Sequence, residues 1–445
     1  MTSRRRKVAR REGSRDHFLL SQTDLLRFDA APGIDPEEIR DLLRPHFPDL
    51  LWGTALRGAC VKKLKPVERF AAIALRPDAA APEEERPGID PQALLESARG
   101  LYRLCRKSDG CWGVEDHGLL AGFLPLGTAE EGAAAARALQ EKVRSRTGRT
   151  LTAGIAVHPT LNYELHEISE NARKAVDHAA FFGPGARAVF DAVSLNISGD
   201  RLFERGDTEA AMQEFHRALE LDPANLNVHN SLGVCYAVRG AYEQALVEFS
   251  AAAALNAQDY MAAYNIGMVQ RLLGRREAAL NHLERAAALR SDLFEILFQA
   301  GNLHLELGQA HAAREFLERA ARLRSKSGGV YRYLGDCYDA LNLPEKAIAA
   351  YKKALRFNPS DPAALSALGC LFDHKGENPE ISLVFCRESV ALAPQNPLFR
   401  RRLGVLHLKQ ERLEEALHEF EAAAGLGLDT AAEIRSVREQ LKERN

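Results

Sequence analysis

A chain of 445 residues is too long for one hydrophobic core and points to two or three units, and 46% apolar with 27% charged residues is the balance of an ordinary globular protein, neither disordered nor membrane-embedded. A formal net charge of -2 supplies no global field for nucleic acid or an anionic membrane, so neither nucleic-acid binding nor membrane insertion is expected. Cys60, Cys105, Cys111, Cys235, Cys337, Cys370 and Cys386 form no CxxC pair and no metal-like spacing, which fits reduced, buried thiols in a cytoplasmic protein with no metal and no other cofactor.

Residues 1–15 crowd Arg4, Arg5, Arg6, Lys7, Arg10, Arg11 and Arg15 among almost no apolar side chains and read as a disordered basic tail. Val8 and Ala9 are no apolar run, so a secretory signal is not expected. From residue 16 to 192 short β-rich runs alternate with helical stretches, the pattern of an α/β or α+β domain. Strands are expected at 70–75, 111–113, 119–124, 151–157 and 188–190, and helices at 36–43, 91–107, 129–146 and 167–182. Residues 79–88, with Pro82, Pro87 and three glutamates, read as a solvated connection. At 190–199 the last strand enters the next helix without a flexible linker, so this domain is expected to cap the C-terminal half of the chain at a fixed angle.

The element order, with Arg106-Lys107-Ser108-Asp109 before a hairpin, Phe123-Leu124-Pro125 ending it, the strand from Leu151 to Val157 and the run from Asn171 to His178 leading to Gly183, resembles the GGDEF-type diguanylate cyclase domain. The resemblance implies a palm-like sheet whose carboxylates hold two Mg²⁺ ions over a triphosphate, with paired glycines admitting the nucleotide. The hairpin tip, Gly113-Val114-Glu115-Asp116-His117-Gly118, has no register giving two glycines and then two acids, and Arg76 and Pro77 precede Asp78 where a metal-binding aspartate belongs. No catalytic residue is therefore assigned: the domain reads as degenerate, Glu115 and Asp116 as a hydrated turn and Asp78 as loop. Arg106 and Asp109 keep the RxxD spacing at which such cyclases bind cyclic di-GMP, but the same spacing is an i,i+3 ion pair with Asp109 closing the turn, and that plainer reading is preferred. His158, His166 and His178 are too dispersed for a metal site.

The period then changes. Gly199, Gly233, Gly267, Gly301, Gly335, Gly369 and Gly404 recur at five intervals of 34 and one of 35. Twelve residues beyond the glycine stands a small residue (Ala211, Ala245, Ala279, Ala313, Ala347, then Ser382 and Ala416), displaced by one in the sixth repeat. Four further comes a larger one, Phe215, Phe249, Leu283, Leu317, Tyr351, Cys386 and Phe420, and three beyond that a small one again. Small residues let two amphipathic helices cross closely while the large one fills the space between them. Gly206, Gly240, Gly274 and Gly308 fall where the first helix must end, with Asn342 and Glu411 in that place later, and Pro223, Pro359 and Pro394 follow second helices. This pattern, from about residue 193 to 428, resembles the tetratricopeptide repeat family and implies seven helix pairs in an all-α right-handed superhelix.

Residues 429–445 read as a solvating cap helix with Ile434, Val437 and Leu441 on one face. In the repeat family the first helices line a groove that takes extended peptides or partner helices; here Asn230, Asn265, Gln299, Asn302, Arg332, Asp336, Arg401 and Arg402 are the candidate partner-binding residues. The Lys/Asn clamp that some members use for a chaperone's C-terminal carboxylate is not at its positions. Together the features describe a mainly α protein, an α/β cyclase-like palm followed by repeats. The expected function is a non-catalytic cytoplasmic adaptor of bacterial signalling type that binds a protein or peptide; the alternative is a cyclase-like protein that makes or senses cyclic di-GMP.

Overall fold

The computed structural model describes residues 36–78, 90–116, 118–376 and 379–444, and the tail and the connection at 79–88 lie outside these. The chain divides into two compact units, one over residues 19–257 and one built on 258–445.

In the first unit, α1 (Pro36–Leu43), β1 (Leu51–Trp52) and α2 (Gly53–Leu64) lead into β2 (Phe70–Pro77), α3 (Pro91–Lys107), β3 (Cys111–Val114), β4 (Leu120–Leu124), α4 (Ala129–Thr147), β5 (Leu151–His158), α5 (Ile168–Ala180) and β6 (Arg187–Val189). Helix ends are set locally. Pro91 opens α3 behind Asp90, whose carboxylate accepts from the amides of Gln92 and Ala93, and Thr128 with Glu131 forms a reciprocal capping box on α4. The sheet runs β1-β3-β4-β2-β5-β6. Its four central strands are antiparallel neighbours and, with α3 and α4, form the split β-α-β-β-α-β arrangement, while β1 and β6 add parallel at the edges. The pair β1 and α2 had no place among the expected elements. Glycines at 53 and 58 weaken the helical pattern, yet Leu56, Cys60 and Leu64, spaced by four, are its buried stripe.

Side-chain alternation splits the sheet into two cores. Ile73, Leu75, Leu120, Leu124 and Ile155 meet Leu94, Leu101, Leu139 and Val143 of α3 and α4. On the other face, Phe70, Ala72, Phe123 and Ala156 meet Ile168, Ala172 and Ala175 of α5, and this core does not stop at the sheet. It runs on through Phe190, just before α6 (Ala192–Glu204), and Leu195 of α6 into Phe215 of α7 (Thr208–Leu221) and Val228 and Leu232 of α8 (Leu226–Val238). The expected boundary at 192/193 therefore falls inside one compact unit, which also holds α9 (Tyr242–Leu255). Across the join, Lys174 of α5, with its side chain only 7% exposed, meets Glu214 of α7 at 2.8 Å.

The second unit is five helix pairs: α10 (Tyr260–Leu272) with α11 (Arg276–Leu289), α12 (Phe294–Glu306) with α13 (Ala310–Leu323), α14 (Gly328–Ala340) with α15 (Pro344–Phe357), α16 (Pro362–His374) with α17 (Pro379–Leu392), and α18 (Pro397–Lys409) with α19 (Leu413–Gly425). Then comes α20 (Ala431–Arg444), whose Val437 is fully buried against Leu413, Ala416 and Phe420, with Ile434 and Leu441 packed beside it. First helices end in left-handed backbone at Gly274 and Gly308, and at Asn342 (φ 55°) and Glu411 (φ 58°) where glycine is replaced.

Within every pair one contact sets the spacing. A methyl group on the repeat glycine would lie 2.4 Å from the Phe215 ring at Gly199, 2.6 Å from Phe249 at Gly233, 2.9 Å from Leu283 at Gly267, 2.7 Å from Leu317 at Gly301, 2.5 Å from Tyr351 at Gly335, 2.7 Å from the Cys386 sulfur at Gly369 and 2.8 Å from Phe420 at Gly404. Where the large residue is tied it cannot retreat, and Tyr351 donates its hydroxyl to Asp336 at 2.7 Å. Gly335→Ala should therefore destabilise the protein by about 1–3 kcal/mol by overpacking, against the ~1 kcal/mol that alanine normally adds to a helix. Urea unfolding checks this, and Tyr351→Leu in the same chain should recover part of the loss; a stabilised Gly335→Ala would show that the helices part freely.

Candidate functional site

The eight proposed groove residues lie on first helices, but they do not form one exposed surface. Asn230 is 3% exposed, Asn265 0%, Gln299 3% and Asn302 7%, so these amides are packed between helices. In the second unit Arg271 donates to the Gln299 carbonyl oxygen at 2.7 Å and also pairs with Glu306, and Asn302 donates to the Tyr333 hydroxyl at 3.3 Å. Arg332 lies over the Tyr333 ring, 3.6 Å from its centroid, and pairs with Asp336 at 3.1 Å and Asp361 at 3.6 Å. Burial pushes the Asp336 carboxyl up, and its bonds to Tyr351 and Arg332 oppose that. Asp200 in the first unit accepts from Ser231 at 3.1 Å in the same manner. These ties join neighbouring first helices into polar seams, and Arg271, Tyr333, Asp361, Asp200 and Ser231 are members that sequence reasoning missed. The signal was available: complementary side chains about one repeat apart, such as Arg271 and Glu306, separated by 35.

On α14, α16 and α18 of the second unit the surface opens. Arg401 and Arg402, with Lys409, Asp339, Asp373, His374 and Cys370, surround a pocket of about 250 Å³ on α14, α16 and α18. Arg402 donates to Ser366 at 3.0 Å, while Arg401 pairs with Glu433 of α20 at 2.8 Å and Lys409 with Asp373 at 2.6 Å, the two cations keeping 46% and 51% of their side chains exposed. Ion pairs so exposed are weak and exchange readily for a ligand's charges.

Arg106 and Asp109 are not paired with each other. Arg106 donates to Tyr102 at 3.2 Å, and Asp109, with φ 54° and its side chain 92% exposed, closes the turn after α3 and meets Lys63 at 2.8 Å. The i,i+3 ion pair is thus replaced by a contact from α2, the helix that the pattern concealed.

Of the two hairpin acids, Asp116 lies in an exposed turn as expected, but Glu115 is not hydrated. Glu115 is 5% exposed and pairs with Arg57 of α2 at 3.0 Å, while Asp116 accepts from the same guanidinium at 2.6 Å. One side chain thus supplies the positive charge between two acids. Asp78 binds structure instead: it accepts from the Thr152 hydroxyl and, at 2.7 Å, from the Gly185 amide, fixing the turn before β6. His178, Asp191 and Ser194 come together, but Ser194 is fully buried and both partners face the same imidazole nitrogen, so the trio caps α6 and is not a nucleophilic relay. The cysteines are free, all but Cys370 buried, and the fold pairs the thiols of Cys60 with Cys111 and of Cys370 with Cys386 across sequence distances that hid them. Among the described residues no three His, Cys, Asp or Glu side chains are grouped to hold a metal ion.

A tetratricopeptide family model, described as TPR repeat, matches residues 199–238, and another, described as Tetratricopeptide repeat, matches 298–362 and 385–429. The chain therefore carries tetratricopeptide repeats. Among solved structures it is similar to a tetratricopeptide repeat protein from Parabacteroides merdae (17% identity, 56% of this chain and 97% of that one, TM-score 0.42). It is similar also to YrrB, described as a TPR protein with an unusual peptide-binding site (19% identity, 44% and 97%, TM-score 0.39), and to the MamA protein (23% identity, 38% and 92%, TM-score 0.35). Comparison with curated proteins gives no match.

Burial pushes the Glu115 carboxyl up, and Arg57 pulls it back. With a raised folded pKa, the stability this group contributes is complete below the ordinary carboxylate range and is lost as pH rises through the folded value. Arg57→Ala lifts that value further, so the variant should lose roughly 3 kcal/mol at pH 7 and less at an acidic pH, where protonation of Glu115 removes the unpaired buried charge. Urea titrations at the two pH values measure the difference; equal losses would mean that Arg57 acts by packing alone.

Proposed function

We propose that this protein is a non-catalytic adaptor in the cytoplasm of a bacterial cell, holding a protein or peptide partner on the first helices of its repeats. The supporting observation is the open pocket at Arg401, Arg402 and Lys409, where exposed cations and acids lie side by side on adjacent first helices, next to polar seams that keep those helices in register. No described helix is long and apolar enough to cross a membrane. The α/β part serves as a degenerate GGDEF-like domain, a cap or regulatory module. In its favour, the split β-α-β-β-α-β order is that of a palm, and Arg57 occupies the hairpin acids with a guanidinium where a cyclase would hold metal.

Asn265 and Asn302 are too buried for clean tests, so the test falls on the exposed cations. Arg401→Gln with Lys409→Gln should reduce partner capture from host extract at least tenfold and move the melting temperature by no more than a few degrees, since exposed pairs are worth about 0–1 kcal/mol each. Undiminished capture would send the binding site elsewhere. Cyclic dinucleotide accumulating from GTP and Mg²⁺ would replace the adaptor reading with the cyclase one.

A further inference from the structure

The first unit contains a second cavity, of about 500 Å³, between the outer face of α4 and the turn before β6, lined by Arg137, Gln140, Glu141, Arg144, Thr150 and Arg187 with the Pro184–Gly185 turn. That volume suits a small metabolite, and a wall of guanidiniums and hydroxyl is unsuited to an apolar one. Among the described residues its charges are not balanced. Nearby arginines are neutralised, Arg99 and Arg146 by Glu96 and Arg149 by Asp90. The guanidiniums of Arg137 and Arg144, one face of α4 apart by seven residues, make no hydrogen bond or ion pair with any described residue. Arg187 faces them from β6, and Glu141 is the one acid on the rim among the described residues.

The cavity is also built. Gln140, only 8% exposed, spends its amide nitrogen on the carbonyls of Leu151, Gly185 and Ala186 at 2.7, 3.1 and 3.1 Å, and its oxygen accepts from Arg187 at 3.0 Å. A buried amide therefore aims Arg187 toward the α4 arginines, and Asp78 holds the turn through the Gly185 amide. Three guanidiniums against one carboxylate call for a ligand of at least two negative charges, and planar forks converging from two walls match phosphate oxygens. We propose that this cavity binds a small molecule bearing two or more phosphate groups. It stands at the end of the sheet where Pro77 pairs with Leu151, opposite the end where Arg106 and Asp109 precede β3, and it is independent of the partner pocket on the repeats.

Calorimetry of the full chain with sodium pyrophosphate and with ATP, free of Mg²⁺, tests this. Binding of at least one is expected, weakened at least tenfold by Arg137→Gln with Arg144→Gln, weakened by salt, and changed less than threefold by Arg146→Gln, whose guanidinium is already paired. Equal affinities would mean that phosphates alone are read, and tighter ATP that the nucleoside is read as well. No binding of either probe, or full affinity in the double variant with an unaltered melting curve, would overturn the proposal.

Discussion

The fold of the repeats depends on the approach of a bare glycine Cα on one helix to a large side chain on the next. That approach recurs from Gly199 against Phe215 to Gly404 against Phe420 with a would-be methyl always under 3.0 Å away. Small residues flanking the large one, such as Ala347 and Ala354 around Tyr351, are fully buried, so each pair is locked at short range with little freedom to repack. The sixth repeat keeps the approach with a different occupant. The Cys386 sulfur stands 2.7 Å from the methyl position at Gly369, and the backbone oxygen of Ser382 comes next at 2.9 Å, so a shorter filler draws the second helix's backbone inward.

Close pairing leaves the first helices to find their own lateral register, and there the forces change from packing to polar ties. Apolar surface is non-directional, whereas a guanidinium between an amide oxygen and a carboxylate, as at Arg271, accepts one alignment. The same division holds at the start of the repeats. The core common to the sheet, α5 and the first helix pairs supplies the attraction, and Lys174 with Glu214, largely removed from water, makes any other docking of α5 leave a buried charge unmatched.

The repeats were legible because their constraint is short-range and repeated: glycine, small, large and small side chains at fixed offsets can be read without knowing the fold. The central strands and helices were legible for a similar reason, Pro91–Lys107 and Pro36–Leu43 being found where hydrophobic spacing and proline placed them. What escaped was long-range. Helix α2 has a weak pattern of its own and acts through Arg57 on Glu115, 58 residues away, so Glu115 looked hydrated when it is buried. The amide residues of the proposed groove were placed on the correct helices, but nothing in one sequence separates an amide facing solvent from one facing the next helix, and Asn265 is fully buried.

The distribution of paired and unpaired charge then separates structural polar groups from those available for binding. Along the seams, cations such as Arg332 are held between an aromatic ring and two carboxylates, where exchange for an outside partner would cost buried contacts. At Arg401 and Lys409 the pairs are half in water, and exchange costs little. Arg137 and Arg144 go further, since among the described residues their guanidiniums make no ion pair, whereas Arg146 on the same helix is given a carboxylate. A chain with a net charge of only -2 has acids enough to neutralise them, so their isolation reflects placement and not a shortage of carboxylates. Recognition by this protein is therefore expected where charge is left open over a framework fixed by glycine contacts and buried ties, because such a site binds without first dismantling its own support.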